Sequence, residues 1–204
     1  MSGEILGTSR RVSRIGGIGG RARRIAGMAV FLVEGERVGI RRPCAEDAGE
    51  FVERMQASAA LHHPWGEYPT TREKFEEYLR RRAMADQEGF LVCERASGAI
   101  AGVININSIV RGFFQSGYLG YYAFEPLARR GYMTEGLRLV IRFAFDELKL
   151  HRLEANVQPE NAASIALVRN CGFRREGFSP RYLRIRGEWR DHERWALLAD
   201  DPRV

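Results

Sequence analysis

Apolar and polar positions follow two periods along this chain, and the switches between them mark its elements. Residues 29–42 (AVFLVEGERVGIRR) read as a strand pair or one bent strand, turning at Glu34-Gly35 and ended by Pro43. Ala48, Phe51, Val52, Met55 and Ala59 then recur at helical spacing. Leu61-His62-His63-Pro64-Trp65-Gly66 breaks that period, so a loop is expected there. Thr70-x-x-Glu73 has capping-box form and opens a second helix with Phe75, Tyr78, Leu79 and Arg82 on one face. Gly89 to Glu94 and Ala99 to Val110 read as a hairpin turning at Ala96-Ser97-Gly98. In its second strand Ile104 and Ile106 fall on one face, Asn105 and Asn107 on the other.

The stretch from Gly117 to Leu148 carries the most information. Gly117 to Phe124 is a run of strand formers, followed by the turn Glu125-Pro126-Leu127-Ala128. Leu137, Val140, Ile141, Phe145 and Leu148 then share one face of a helix predicted over 134–149. His151 to Gln158 is the next strand. Asn161 is a good N-cap for a short helix that buries Ile165 and Val168, with Leu167 on the flank, and Gly172 ends it. Arg181 to Arg186 and Trp189 to Leu198 form a last hairpin turning at Gly187. The order predicts an α/β fold of the α+β kind, with a mixed, mostly antiparallel sheet.

A chain of 204 residues, 45% hydrophobic and 28% charged, suits one domain with a real core. No apolar run approaches the roughly 20 residues that span a bilayer, so no membrane partner is expected. Cys44, Cys93 and Cys171 are odd in number and widely spaced. They fit a reducing, cytoplasmic setting better than a disulfide framework or a zinc site. Six arginines against Glu4 in residues 1–28 account for +5 of the net charge of +6. The basic balance therefore belongs to a Gly- and Arg-rich tail, expected to be disordered, and not to the domain at 29–200. The favoured reading of the tail is a non-functional extension before Met28. A transit-like segment or a basic arm reaching the ribosome are the alternatives, and nucleic acid is not otherwise expected as a partner.

The start of the helix after Arg129-Arg130-Gly131-Tyr132-Met133-Thr134 is the first candidate site. Unpaired amides and the positive end of the helix dipole suit a phosphate. Gly131 lets backbone approach a ligand, and Arg129 and Arg130 add charge-assisted donors. An ordinary surface loop capped by Thr134, with solvated arginines, is the bland alternative. His62 and His63 point in different directions and have no acidic or cysteine companions, so metal binding is not expected.

The segment Ala128 to Met133 resembles the acetyl-CoA loop of the GNAT-type N-acetyltransferases, Gln/Arg-x-x-Gly-x-Gly/Ala between strand and helix. Ala128 and Met133 depart from that pattern. Asn161-Ala162-Ala163-Ser164 with Cys171-Gly172-Phe173 resembles the family's Asn-x-x-Ser…Gly-Phe segment, in the right order. Gly102 to Gly120, His151-Arg152 and Tyr182-Leu183 through Gly187-x-Trp189-Arg190-Asp191-His192 resemble the branch that acetylates ribosomal-protein N-terminal alanines. The resemblance covers about residues 29–198.

The resemblance implies the GNAT fold, with helices on both sheet faces and a splayed parallel strand pair holding acetyl-CoA as co-substrate. It implies that Tyr122, Ala123 and Phe124 pair with the pantetheine arm. It places the pyrophosphate on the amides of Arg129, Arg130, Gly131, Tyr132, Met133 and Thr134, and Asn161 near the thiol. Glu154 is the implied base, with a solvated glutamate or an Arg152 salt bridge as its alternative. Val168 stands where relatives carry a tyrosine acid, so Ser164 is the nearest hydroxyl for the leaving thiolate, unless it only caps the helix. Trp65 with His62 and His63, and Glu188 and Asp191, are candidates for the acceptor side, Asp191 alternatively holding its hairpin. The expected reaction acetylates an amine, first a protein N-terminal α-amine on Ala or Ser. The rivals are a small amine (antibiotic, polyamine or amino acid) and a non-catalytic acyl-CoA sensor or assembly factor. A monomer or a homodimer is expected.

Overall fold

The computed structural model describes residues 30–202. The tail at 1–28 lies outside the described residues. The element order is β1 (Val33–Glu34), β2 (Val38–Arg41), α1 (Ala48–Ala57), α2 (Ala59–His62), α3 (Arg72–Arg82), β3 (Glu88–Glu94), β4 (Ile100–Val110), β5 (Ser116–Ala123), α4 (Tyr132–Asp146), β6 (Arg152–Val157), α5 (Ala162–Asn170), β7 (Arg174–Ile185) and β8 (Glu188–Leu198). The strands form one sheet in the order β1-β2-β3-β4-β5-β6-β8-β7.

Alternating strand residues divide the core between the two sheet faces. Ile104, Ile106, Leu153, Ala155 and Val157 meet the apolar stripe of α4, Leu137, Val140, Ile141 and Phe145, and Val168 of α5. On the other face Leu91, Val103, Tyr122 and Phe124 meet Phe51 and Met55 of α1 and Phe75 and Tyr78 of α3. Helices on both faces of a mixed sheet are therefore observed as expected.

The β5–β6 pair is parallel because the crossover helix α4 returns the chain in the same direction. Every other pairing is antiparallel. The parallel ladder runs from Ser116↔Arg152 to Leu119↔Ala155 and stops. Beyond it the strands part. Pro159 follows β6 and cannot donate to a ladder, and Gln158 Nε2 turns away to donate to Trp65 O at 3.1 Å.

Several boundaries differ from those read in the sequence: Leu61 and His62, expected in a loop, close the short helix α2, and α4 ends at Asp146 and not at 149. The cap of α3 is Thr71, not Thr70: its hydroxyl accepts from Lys74 N at 3.4 Å, while Thr70 O is held in the loop by Gln56 Nε2 at 2.9 Å. Helix α4 starts at Tyr132, two residues before Thr134, because Gly131 adopts φ +80 and turns the chain early. Strand β7 begins at Arg174, not Arg181, and accommodates the extra length through irregularities at Arg175/Gly177 and Ser179/Leu183.

Candidate active site

The gap between β5 and β6 opens into a cavity of about 350 Å³ on the α1–α3 face of the sheet. Its floor is polar. Tyr78 donates to Asn105 Oδ1 at 2.8 Å, and Arg82 Nη1 donates to Asn107 Oδ1 at 2.8 Å. The Tyr122 hydroxyl and Asn156 Oδ1 are buried there without a hydrogen-bond partner among the described residues. Burial raises the Tyr122 phenol well above its ordinary range, so it stays protonated. Trp65 and Tyr68 form one wall, Leu183 and Ile185 of β7 the other.

Three features fit a nucleotide-bearing thioester. First, the parted strands leave backbone groups of Gly120 to Ala123 without a β6 partner, so an extended amide chain can complete the ladder. Second, α4 opens at Gly131 with free amides aimed outward. Third, cations gather there. Neither Arg129 nor Arg130 is in an ion pair among the described residues, and Arg130 lies 5.5 Å from the Tyr132 ring centre. The loop is braced from behind, where Glu125 N donates to Ser58 Oγ at 2.9 Å and Arg54 donates to Glu125 O.

Sequence reasoning missed a third guanidinium at this cradle. Arg37, from the β1–β2 turn, donates to Arg130 O at 3.0 Å and lies 5.1 Å from the Tyr132 ring centre. Its Nε pairs with Glu135 at 3.0 Å, and Glu135 also accepts from the Arg37 and Val38 amides. Burial alone would raise the Glu135 carboxyl, but these donors hold it below its ordinary range. Its charge is thus compensated beside the helix start that a phosphate would approach.

The pairing row is shorter than expected. Phe124 N–H donates to Ala101 O and its carbonyl accepts from Leu127 N. Ala123 O already accepts from His62 Nε2 at 2.7 Å. Tyr122, two residues from Phe124 and opposite Val103, likewise turns its backbone to β4, so Tyr121 and the Ala123 N–H are what remain at the open edge.

Asn161 Oδ1 accepts from Ser164 N at 3.0 Å, and both side chains line the cavity. Ser164 Oγ lies 2.6 Å from the Tyr121 hydroxyl, a partner not foreseen from the sequence. Burial raises the Tyr121 phenol, outweighing the opposing Ser164 hydrogen bond. Tyr121 can therefore donate to Ser164, leaving the serine proton free to point into the gap.

Glu154 is placed otherwise. It shares the sheet face but does not line the cavity, and its carboxylate accepts from Arg152 Nε at 2.9 Å. Arg152 continues to Glu176. This salt bridge, not an open base, is what the structure places at Glu154. Glu188 and Asp191 also fall outside the lining. Glu188 pairs with Arg190, and Asp191 Oδ1 accepts from Arg181 N at 2.7 Å, which fastens the hairpin. Trp65 does line the cavity. So does His192, 2% exposed, whose Nδ1 lies 2.9 Å from Arg190 O. Burial lowers its pKa, with the Arg190 carbonyl and Asp191 opposing. Among the described residues no cluster of His, Cys, Asp or Glu is placed to hold a metal, and no helix is long and apolar enough to cross a membrane.

The model of the acetyltransferase (GNAT) domain matches residues 37–174, more than half of the chain. The chain belongs to the GNAT acetyltransferase family. Its donor is accordingly acetyl-CoA, and its reaction is N-acetyl transfer. It is 35% identical over 130 residues to "Probable N-acetyltransferase YjcK" of Bacillus subtilis, covering 64% of this chain and 72% of that protein. It is 40% identical over 102 residues to the [ribosomal protein uS5]-alanine N-acetyltransferase of Escherichia coli, covering 50% of this chain and 53% of that enzyme. Among solved structures, Mycobacterium smegmatis RimJ in complex with CoA-disulfide superposes with a TM-score of 0.75 at 28% identity, over 80% of this chain and 83% of that one. The GNAT family thus accounts for the parted strands and the glycine-led helix.

Proposed function

We propose that this acetyltransferase modifies the N-terminal α-amine of a protein, one that begins with Ala or Ser, such as a ribosomal protein. The observation that carries this reading is the charge and reach of the acceptor groove. Glu67 is the single carboxylate in its lining, against Arg81 and Arg82. A polyamine or an aminoglycoside needs several carboxylates to replace its solvation, and these are missing from the described lining. The groove also continues past Glu67 to Arg184, Ile185, Arg186 and Gly187 at the hairpin tip, a length suited to an extended peptide. The uS5-alanine relative acts on a substrate of that kind.

In this reading the open backbone of Tyr121 and the Ala123 N–H pair with the pantetheine arm. The amides of Arg129 to Thr134, with Arg37, hold the pyrophosphate. Asn161 positions Ser164, and Ser164 hands a proton to the leaving sulfur and recovers one from the acceptor nitrogen, its hydroxyl oriented by Tyr121. Trp65 borders the acceptor's first residues. Acetyl moves directly from sulfur to nitrogen, so buried Cys171 is not needed as a nucleophile; burial pushes its thiol up to about 11.

The test is thiol release from acetyl-CoA with peptides starting in Ala, Ser or Met, beside spermidine, an aminoglycoside and free amino acids. Turnover on the Ala and Ser peptides alone is expected. Turnover only on a small amine, or acetyl-CoA binding with no turnover, overturns the reading. In the same assay Ser164→Ala is expected to lower kcat about tenfold, below the usual 10²–10⁴ for acid–base catalysis because a thiolate already leaves well. Its acetyl-CoA affinity is expected to be unchanged; a matching loss of affinity would make Ser164 a cap only.

A further inference from the structure

We propose that His192 is the base that takes the proton from the acceptor nitrogen, and that Asn156 Oδ1 holds a second N–H of the same nitrogen. The proposal rests on amine acetylation by this site and holds whichever amine is accepted.

The geometry begins with the register of β8 on β6. Asn156 pairs with Arg194, so His192, two residues earlier, is the diagonal neighbour of Asn156 on the same sheet face. Such neighbours stand roughly 7–8 Å apart, which leaves room for one amine between their tips. Both residues line the cavity beside the gap where β5 and β6 part.

The tautomer of His192 follows from its partner. Nδ1 lies 2.9 Å from Arg190 O, and a carbonyl can only accept. Nδ1 therefore carries the hydrogen and Nε2 carries the lone pair. Nε2 has no hydrogen-bond partner among the described residues, and it belongs to the only histidine in the cavity lining. Asn156 Oδ1 is its complement, a buried acceptor with no donor. An unmet acceptor beside an unmet base is the arrangement an ammonium would complete.

The carboxylates are not available for this task. Glu154 is held by Arg152, and Asp191 by Arg181 N. Glu67 lies out where the groove reaches the hairpin tip.

The groups facing His192 are few. Tyr182 of β7 packs with ring centres 6.1 Å apart. Asn156 stands on β6 and Gln158 just past its end, Arg190, Asp191 and Arg194 on its own strand, and Glu67, Arg81 and Arg82 elsewhere around the cavity. Burial dominates over Asp191 and the Arg190 carbonyl, so the ring titrates below its ordinary value and is neutral at pH 7.

The step balances. The acceptor enters as R–NH₃⁺ and gives one proton to Nε2, which passes it to water. The neutral nitrogen forms the C–N bond, the C–S bond breaks, and the second departing nitrogen proton ends on the sulfur. The third stays on the amide, the one held by Asn156.

The experiment follows kcat against pH for the wild type, His192→Gln and Glu154→Gln, using whichever acceptor turns over. The wild type is expected to lose activity as pH falls through a midpoint below about 6.5, the ordinary histidine value. His192→Gln is expected to lose that acid limb and about 100-fold in kcat, a typical loss for a general base, with acetyl-CoA affinity kept. Long-range ¹H–¹⁵N spectra of the wild type are expected to show His192 protonated on Nδ1 near pH 7, with the same midpoint. An unchanged limb in His192→Gln, loss of the limb in Glu154→Gln instead, or a proton on Nε2 overturns the proposal. If His192→Gln loses acetyl-CoA affinity, the wild-type spectra and kinetic midpoint decide. Absence of turnover on every amine overturns the acetylation reading together with this one; turnover with an indifferent His192→Gln overturns this one alone.

Discussion

Asp47→Ala is expected to lower the unfolding free energy by about 3–5 kcal/mol, the usual cost of stranding one partner of a buried ion pair. Arg41 closes β2, and Asp47 precedes α1. Their side chains are 6% and 1% exposed and meet in a two-pronged contact at 2.6 and 2.7 Å. Asp47 Oδ2 also accepts from Cys44 N at 2.8 Å, so one carboxylate ties the turn, the helix start and the sheet together. Arg41 Nε already lacks a partner, and removing Asp47 would leave the buried guanidinium without a counter-charge, held only by the Arg42 carbonyl at 3.3 Å. Arg95–Glu34 is the contrast. Those side chains are 41% and 54% exposed, and Glu34→Ala should cost well under about 1 kcal/mol.

The pH dependence has a definite sign. Burial pushes the Asp47 carboxyl up, but the hydrogen bonds and charge of Arg41 outweigh it, and the folded pKa lies below the ordinary carboxylate value. Its contribution is therefore complete above about pH 4, the unfolded value, and is lost as pH falls through the lower folded value. Urea unfolding at neutral and acidic pH checks both parts. Asp47→Ala should be much less stable than the wild type at pH 7, and the gap should narrow in acid. A neutral-pH loss below 1 kcal/mol would mean that water reaches Arg41.

Elements whose cause is local were legible in the sequence. Gly131 before a run of helical period, and Asn161 and Gly172 bracketing a short helix, marked strand–loop–helix units because caps and turns act within a few residues. The parallel placement of β5 and β6 was implied by the family resemblance, and the helix between the two strands is its physical reason. Boundaries were less legible where a distant partner decided them. Thr71 displaced Thr70 as a cap because Gln56 holds the Thr70 carbonyl. The site divided in the same way. The phosphate loop is sequence-local and could be read. Arg37, almost a hundred residues from Glu135, could not, because a turn arginine carries no signal of what it will face. The Tyr121–Ser164 contact depends on the register of β5 against α5. The engagement of Glu154 was within reach of the sequence. Arg152, two residues away on the same strand face, was its visible alternative, and the structure places it at 2.9 Å.

Gly102→Val is expected to weaken acetyl-CoA binding at least tenfold and to destabilise the fold by about 1–3 kcal/mol, the range for forcing extra atoms into a packed site. A Cβ at Gly102 would stand 2.6 Å from Tyr122 O and 3.1 Å from Ala123 Cα, both backbone atoms of β5. Ala123 and its neighbour Tyr121 form the open edge that an extended ligand would complete, and Tyr122 joins them to β4, so moving this segment disturbs the site as well as straining the sheet. The Cβ would also stand 2.4 Å from Met133 Sδ. Here lies the physical reason for Met133, where the family's loop carries a small residue: Gly102 leaves the space that the methionine sulfur fills. The glycine and the methionine fit each other, which a motif read alone cannot reveal. The double variant Gly102→Val with Met133→Ala separates the contacts. Alanine relieves the sulfur contact but leaves Tyr122 O where it is. Titration calorimetry with acetyl-CoA should therefore find the double variant still weak. Full recovery would assign the whole effect to the flexible methionine and leave the β5 backbone free to adapt. Gly49→Ala, on the exposed face of α1 with nothing within 4 Å of the added Cβ, is the control. It should keep acetyl-CoA affinity and gain up to about 1 kcal/mol in stability from helix propensity.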